Sequence, residues 1–459
     1  MVKSKCSVQG IGPSTKTTAQ HCVRATYGSA IGVDVHAKQL VCCYQSSDGV
    51  DPLTHQPILK EQHAEFGTLR SELNEFAAWC LELKPEIILM ESTGVLWRSP
   101  YEALEDVGFT TQELMLVNAR DVKGIIGRKT DREDAVRLAQ IARMGILKAS
   151  FVPPRIFREM RLIARRYQTL KKTTANLTNV YQKLLNAAGL RASSVFSDVR
   201  GLAATAILES KLNDAPDFAE TVIERSARLK APPEKIIDAL DFEISDTMRA
   251  QLLDEKLLIE RTQTHADAAM NRLRQLQKPY AKQIKLLMSI PGIKEDSARL
   301  IFAELCSDLK QQFPNSEKFC SWLGICPGNN ISANKSHSGR SPKGNKWLRR
   351  TITECSQGIG LSHLCLRSRF EAFKLRRGKK RAVVAIGHLL CRIIYSVLVN
   401  GRMFKSVNEG DNLKNVLVQR LKSNLKNLRR QTPLVMCGNE MIERDTGVII
   451  CEMPAVFDP

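Results

Sequence analysis

The stretch that decides the fold is IGVDVHAKQLVCCYQ, residues 31–45. Its two apolar or β-branched runs, IGVDV and LVCCY, are separated by a few polar residues, which is the pattern of a β-hairpin. Two further apolar runs follow in EIILMEST and ELMLVNA, and the segment between them predicts a helix closed by Gly108. A last helix is predicted over TDREDAVRLAQIARMGIL. This order of strands and helices predicts an α/β domain over residues 28–150.

The size and charge of the chain indicate several domains and a polyanionic partner. Its 459 residues exceed what one core usually holds, so we expect two or three domains. Sixty-eight Lys and Arg against 48 Asp and Glu give a net charge of +20, which makes nucleic acid the leading candidate. A basic but catalytically inert protein, such as a ribosome-associated factor, is the alternative.

Cysteine spacing and hydropathy argue against zinc, export and membrane insertion. The 13 cysteines contain no CxxC pair, so no zinc site is expected, and free thiols suit a reducing cytosol. The N-terminus lacks the apolar segment of a signal peptide. The longest apolar run, residues 382–399, is interrupted by His388 and Arg392 and predicts a buried helix. We therefore expect a cytoplasmic protein.

A helical segment is predicted over residues 151–285. Apolar residues there alternate steps of four and three, an a/d seam typical of a coiled coil. The seam consists of Ile156, Met160, Ile163, Tyr167, Leu170, Thr174, Leu177, Tyr181, Leu184 and Ala188. A second arm with a seven-residue step consists of Leu252, Ile259, Ala266 and Leu273. The two arms form either a core-facing helix pair or a projecting dimerisation arm, and the length of the seam favours self-association.

A mainly helical domain is predicted over residues 286–400, followed by a basic tail over residues 401–459. LLMSIPGIKEDSARLIFAEL looks like a helix-hairpin-helix, although Lys294 stands where such turns often carry a second glycine. A turn that serves packing alone is the alternative. The stretch GICPGNNISANKSHSGRSPKGNKWLRR and the cluster RSRFEAFKLRRGKKR suit contact with phosphates. The candidate nucleic-acid-binding residues are Lys294, Lys335, Arg340, Lys343, Lys346, Arg376, Arg377, Lys379 and Lys380.

Four carboxylates could converge at the edge of the predicted sheet. Asp34 lies within the first strand, where an unpartnered charge is costly, and Glu91 follows the strand IILM. Asp131 and Asp134 share one helix face. Clustered carboxylates repel one another unless cations bind them, and oxygen ligands select Mg²⁺ or Mn²⁺. Taken singly, each acid also has a structural interpretation, such as a first-turn acid at a helix N-terminus.

Six sequence blocks occur in the order seen in a known family. IGVDVHAK, MESTG, NARDVKGIIGRKTDREDA, IPGI, GICPGNNISANKSHSGRSPKGNKWLRR and LRRGKKRAVVAIGHLL resemble the DEDD transposases of bacterial insertion sequences, family one hundred and ten. These enzymes are bridge-RNA-guided recombinases. The resemblance covers about residues 31–399. It implies a RuvC-like domain of RNase H fold, with DEDD acids that match Asp34, Glu91, Asp131 and Asp134.

The resemblance also implies a mechanism. A nucleophilic serine follows the PGNN run, which places it at Ser332, with Ser336, Ser338 and Ser341 as competitors. Donor and target DNA would be selected by a guide RNA and joined through a phosphoserine link. Because recombining two duplexes requires several active sites, we also expect a homodimer or homotetramer, and we expect the protein to be prokaryotic and nucleoid-associated. Mg²⁺ held by the acids would assist the serine.

Two other functions are compatible with the residues. A structure-specific endonuclease related to junction resolvases would use metal-activated water and need no serine. A nucleic-acid-binding protein could use the same fold without cleavage, because fold alone does not establish catalysis.

Overall fold

The computed structural model describes most of the chain between residues 25 and 405. The described residues are 25–50, 57–91, 94–118, 131–147, 149–306, 308–326, 330–332, 335–338, 341–361 and 366–405, together with 418, 421, 424, 434–437, 440–443 and 449–452. The chain divides into two compact units, Met1–Val152 and Pro153–Pro459.

The first unit contains a five-stranded mixed sheet. Its strands are β1 (Ser29–Val35), β2 (Gln39–Val50), β3 (Pro57–Gly67), β4 (Ile87–Glu91) and β5 (Leu114–Val117). Its helices are α1 (Arg70–Leu83), α2 (Arg98–Asp106) and α3 (Asp131–Met144). The strand order is β3-β2-β1-β4-β5, with β1, β2 and β3 antiparallel and β4 and β5 parallel to β1. The predicted α/β class is confirmed, and the sheet is compatible with an RNase H-like domain.

The sequence analysis did not identify β3 or α1. Strand β3 lies at the edge of the sheet, and its apolar residues Ile58 and Leu59 are largely exposed. Because an edge strand contributes few side chains to a core, its sequence, PILKEQHAEFG, carries little alternation of apolar and polar residues. The hairpin predicted for residues 31–45 is confirmed as β1 and β2.

The two faces of this sheet have separate cores. Successive strand residues point to opposite faces, so Ile31 and Val33 pack on the side of α1 and α2. Ala30, Ile87 and Leu89 pack on the other side, against the apolar residues of α3. The position of a charged residue on β1 or β4 therefore determines the face of the sheet to which its side chain points.

The second unit is largely helical. Its first elements are α4 (Arg155–Ala187), α5 (Ala192–Val195), α6 (Leu202–Leu212), α7 (Phe218–Ser226), α8 (Pro233–Leu240), α9 (Asp246–Leu276) and a 3₁₀ turn (Lys278–Tyr280). They are followed by α10 (Ala281–Met288), α11 (Glu295–Glu304), α12 (Leu309–Gln312), α13 (Ser316–Leu323), β6 (Asn330–Ser332) and β7 (Lys335–Ser338). The last are α14 (Lys346–Leu361), α15 (Arg367–Arg377), α16 (Lys379–Asn400), β8 (Leu434–Cys437), β9 (Glu440–Glu443) and β10 (Ile449–Glu452).

The predicted seam lies between two long helices of the same chain. Helices α4 and α9 run side by side in opposite directions, since Met160 shares a core with Leu273 while Tyr181 shares another with Leu252. The second-arm residues Leu252, Ile259, Ala266 and Leu273 are all buried. Because α9 already covers the seam, the reason for expecting a homotypic interface there is lost. Coiled-coil geometry as such stays a prediction.

The two ends of this helix pair belong to different apolar cores. One end packs with α5 to α8, and the other packs with the helices from α10 to α16. The helix pair is shared by both cores, and residues 153–459 form one compact unit. The predicted division at residue 285 stays a prediction. Helix α16 has the length and apolarity of a membrane span, but Ile386, Leu390 and Ile394 are fully buried in the second of these cores. The expectation of a buried helix there is confirmed.

Candidate active site

Strands β1 and β4 place Asp34 and Glu91 next to each other. The last pair in their parallel register is Val33 with Met90, and each acid is the next residue on its strand. By the alternation of side chains, both acids point to the face that α3 covers. Asp34 is largely buried, with 16% of its side chain exposed.

Helix α3 brings the second pair of acids to this face. A Cβ atom on Gly32 would lie 2.3 Å from the Ala135 carbonyl oxygen and 2.3 Å from the Ala139 amide nitrogen. At this position of β1 only glycine allows so close an approach. The small residues Ala135 and Ala139 are on the face of α3 that contacts the sheet, and both are fully buried. The first turn of α3, which contains Asp131 and Asp134, is thereby held at the level of Asp34.

A histidine that the sequence analysis did not select joins these acids. The His36 Nε2 atom lies 3.0 Å from Asp34 Oδ2 and 3.7 Å from Asp131 Oδ2. One ligand atom from each of the three residues lies within 4.8 Å of the others, a spacing that suits one metal ion. His36 stands two residues after Asp34, just past the end of β1. That spacing is the signal that could have identified it.

The other two acids stand outside this three-residue group. The Asp134 Oδ1 atom accepts a hydrogen bond from Arg137 Nη1 at 3.1 Å. Asp134 is close enough to Asp34 to raise its pKa, while Glu91 is partly buried at the end of β4. The structure thus gathers Asp34, His36 and Asp131 tightly, with Asp134 and Glu91 on the same face around them.

The electrostatics of Asp34 fit a cation site. Burial raises the pKa of the Asp34 carboxyl group, His36 lowers it, and the carboxylates of Asp134 and Asp131 raise it further. Without a cation the ionised form is therefore disfavoured, because neither solvent nor enough positive charge offsets the like charges. A divalent ion would supply that charge. Carboxylate oxygens with one imidazole suit Mg²⁺ or Mn²⁺ better than a softer metal.

Ser332 lies on a short hairpin in the second unit. Strands β6 and β7 are antiparallel, and Ser332 pairs with Lys335 in the last register pair before the connecting residues. The competitors Ser336 and Ser338 lie on β7, opposite Ile331 and Asn330. The side chains of this hairpin are outside the described residues. The Gly-, Asn- and Lys-rich stretch around Ser332 therefore contains a β-hairpin, with Ser332 at its closed end.

A buried ion-pair network anchors the chain just after this hairpin. Glu304 is fully buried at the end of α11 and accepts two hydrogen bonds from Arg165, from Nε at 2.7 Å and from Nη2 at 2.8 Å. Asn345 Nδ2 donates a third, at 2.7 Å. The Asn345 Oδ1 atom in turn accepts from the backbone N–H groups of Trp347 and Leu348, which caps α14. The C-terminal base of the hairpin segment is therefore fixed to α4 and α11.

The predicted nucleic-acid contacts other than Lys294 fall into three places in the part of the chain that the structure describes. Arg376, Arg377, Lys379 and Lys380 are all exposed at the junction of α15 and α16. Lys343 and Lys346 are exposed near the start of α14, and Lys335 is on β7, whereas Arg340 lies outside the described residues.

The turn before α11 suits packing better than phosphate binding. Lys294 is exposed at the N-cap position of α11, but the first turn carries two acids. Glu295 pairs with Arg299 at 2.9 Å and Asp296 pairs with Arg274 at 3.0 Å. Because these carboxylates already occupy the positive end of the helix dipole, an incoming phosphate would be repelled. The packing interpretation of the Pro-Gly turn is therefore favoured.

Comparison with known families identifies the chain. A family model for DEDD transposases of the IS110 type, described as "Transposase", matches residues 31–189, and the model "Transposase IS116/IS110/IS902 family" matches residues 284–364. No curated protein matches the chain. The fold, the acids and these matches define a transposase, an enzyme that cuts and rejoins DNA. The chain belongs to the IS110 family of DEDD transposases.

Proposed function

We propose that this transposase joins donor and target DNA through a covalent serine–phosphodiester intermediate, under the direction of a guide RNA. Asp34, Glu91, Asp131 and Asp134 would hold Mg²⁺ or Mn²⁺. The observation that carries the proposal is the convergence of acids from β1, β4 and α3 on one sheet face. The guide RNA rests on the family resemblance and on the net charge of +20.

The acids have a defined task in this reaction. A divalent ion bound to them would neutralise charge on the scissile phosphate and stabilise the attacking and departing oxygens. Asp34 is held by β1 and hydrogen-bonded to His36, so its carboxylate orientation is set before the ion arrives. Asp131 is more exposed, with 57% of its side chain accessible, and can adjust to the phosphate.

The serine step is an ester exchange. The Ser332 Oγ atom would form a bond to the phosphorus while the bond between phosphorus and the departing deoxyribose oxygen breaks. The hydroxyl proton of the serine goes to that oxygen, and rejoining reverses the exchange with a new DNA end. No oxidant or energy source is needed, since one phosphodiester replaces another.

The proposed partners follow from this reaction. Two DNA duplexes and a guide RNA would contact exposed basic residues such as those at the junction of α15 and α16. Breaking and joining both strands of two duplexes requires several active sites, so a homodimer or homotetramer is proposed. The proposed location is the prokaryotic cytoplasm, at the nucleoid.

Trapping the covalent adduct tests the proposal. Wild-type protein incubated with guide RNA, donor and target DNA in Mg²⁺ should yield a protein–DNA adduct that maps to Ser332. Ser332→Ala should lose the adduct and keep DNA binding, whereas Ser341→Ala is the matched control. Cleavage without an adduct would favour the water-using endonuclease, and an adduct that forms in EDTA would contradict the metal site.

Mixing variants locates the serine relative to the acids. Ser332→Ala and Asp131→Ala protein should each fail alone. If the serine of one subunit acts with the acids of another, the mixture recovers part of the adduct. If both act within one chain, the mixture stays inactive.

A further inference from the structure

A second group of potential metal ligands lies on β2 and on the edge strand β3 of the same sheet. Cys43 on β2 pairs directly with His63 on β3, and Glu61 precedes His63 by two residues, so all three side chains share one face. One ligand atom of each lies within 4.8 Å of the others. The group contains a sulfur, a nitrogen and an oxygen donor, unlike the oxygen-rich acid site.

A buried amide next to this group supports a ligand there. Gln45 is fully buried two residues after Cys43, and its Nε2 atom donates a 2.6 Å hydrogen bond to Glu61 Oε1. The other Glu61 oxygen, Oε2, lies 3.7 Å from His63 Nε2. The Gln45 Oε1 atom is buried and has no hydrogen-bond partner among the described residues, which costs about 1–3 kcal/mol unless a donor binds to it. A water bound to a metal ion is a donor of the required kind.

We propose that Cys43, Glu61 and His63 bind a zinc ion, with a water molecule as the fourth ligand. One sulfur, one imidazole and one carboxylate are common zinc ligands, and three protein ligands with one open position form a usual tetrahedral site. The thiol proton is released to solvent as the sulfur–zinc bond forms. Gln45 is not a ligand, but its hydrogen bond orients the Glu61 carboxylate.

The proposed zinc site would stabilise the pairing of the edge strand β3 with β2. Among the strands that the structure describes, β3 pairs with β2 alone, and most of its residues are exposed or half-buried. A zinc ion that links β2 to β3 would hold this edge in register. The inference is independent of the proposed recombination chemistry, because none of its ligands belongs to the DEDD set.

Cobalt binding tests the site by its spectrum. Cobalt(II) added to the full-length protein should give a near-ultraviolet thiolate-to-metal charge-transfer band and the visible bands of a tetrahedral ion, both displaced by zinc. The acid site has no sulfur and cannot give the first band. The charge-transfer band should be retained in Asp34→Asn protein and lost in His63→Ala protein. Glu61→Gln, which removes the charge of a proposed ligand, should lower the cobalt affinity by at least about tenfold.

Glu65→Gln is the matched control, because Glu65 lies on the same face of β3, one alternation further along. It should leave the spectrum unchanged. His63 and Glu61 are exposed, so their variants should fold normally, and Cys43→Ser adds a second check if its circular dichroism matches wild type. A thiolate band that survives His63→Ala, or cobalt binding with no thiolate band in any variant, would overturn the proposal and leave a polar edge cluster.

Discussion

The acid site and the serine hairpin are built in different ways. The acids stand on a strand, the end of a neighbouring strand and a helix, and Gly32 allows that helix to lie directly on the sheet. Ser332 lies on a two-stranded hairpin. The segment that follows the hairpin is hydrogen-bonded through Asn345 to the buried carboxylate of Glu304. The geometry of the acid site comes from sheet register and close packing, whereas the network around Glu304 fixes the segment that begins at Asn345, after the hairpin.

The difference predicts how each region tolerates change. Repelling carboxylates need a rigid frame, so the acid site should respond to any shift of α3. A hairpin that carries the proposed nucleophile Ser332 needs a fixed base, so we expect its sensitivity to be concentrated at Glu304 and Asn345.

The largest expected effect is the loss of catalysis at Asp34. Asp34→Asn removes the charge of a proposed metal ligand that is hydrogen-bonded to His36. It should lower DNA cleavage by about 1000-fold or more, because metal stabilisation of the transition state is worth several kcal/mol. Cleavage of donor and target plasmids measures it. Asp106→Asn, at the C-terminal end of α2, should keep full activity. Normal cleavage by Asp34→Asn protein would show that the acids are not the metal site.

Removal of the buried charge should give the largest loss of stability. Glu304→Ala leaves the Arg165 guanidinium and the Asn345 amide without their shared partner, which should lower the free energy of unfolding by about 3–5 kcal/mol. Urea denaturation measures this loss. Glu354→Ala, which breaks a comparable but exposed i,i+4 pair with Arg350, should cost less than about 1 kcal/mol. Equal losses in the two variants would refute the anchoring role of Glu304.

A methyl group at Gly32 should separate α3 from the sheet. Gly32→Ala places a Cβ atom 2.3 Å from backbone atoms of Ala135 and Ala139 and should destabilise the first unit by about 1–3 kcal/mol. The same shift moves Asp131 away from Asp34, so divalent-metal affinity, measured by calorimetry, should fall as well. Gly358→Ala, where an added Cβ has nothing within 4 Å, should be neutral or slightly stabilising. Unchanged metal affinity in Gly32→Ala would contradict this account.

The smallest expected effect is a difference between wild-type and Asp34→Asn protein in how the free energy of unfolding depends on pH when no metal is bound. The pKa of Asp34 is raised in the folded protein by burial and by Asp134 and Asp131, so folding binds a proton more tightly there. The free energy of unfolding should therefore fall as the pH rises from the ordinary carboxyl pKa through the raised one. Asp34→Asn should lack this fall and be the more stable protein at neutral pH in EDTA. If the free energy of unfolding depends on pH in the same way in wild-type and Asp34→Asn protein, as urea titrations would show, the raised pKa of Asp34 is excluded.

The sequence by itself determined the domain type and the family. Strand alternation in residues 31–45 and the apolar runs near Glu91 are local patterns, so β1, β2, β4 and the face of each acid could be predicted. The a/d seam likewise predicted two long helices. The order of six blocks indicated the transposase family, which the family models confirm.

Only the tertiary structure decided which residues meet across distant parts of the chain. It joined His36 to Asp34 and Asp131 and covered the seam with α9. It also placed Glu295 and Asp296 in ion pairs at the start of α11, which favours the packing interpretation of the Pro-Gly turn. It also paired Cys43 with His63 across two strands, a juxtaposition that cysteine spacing along the chain does not show. Spacing along the chain reports only local geometry, whereas strand register and helix packing depend on every residue that fills the core.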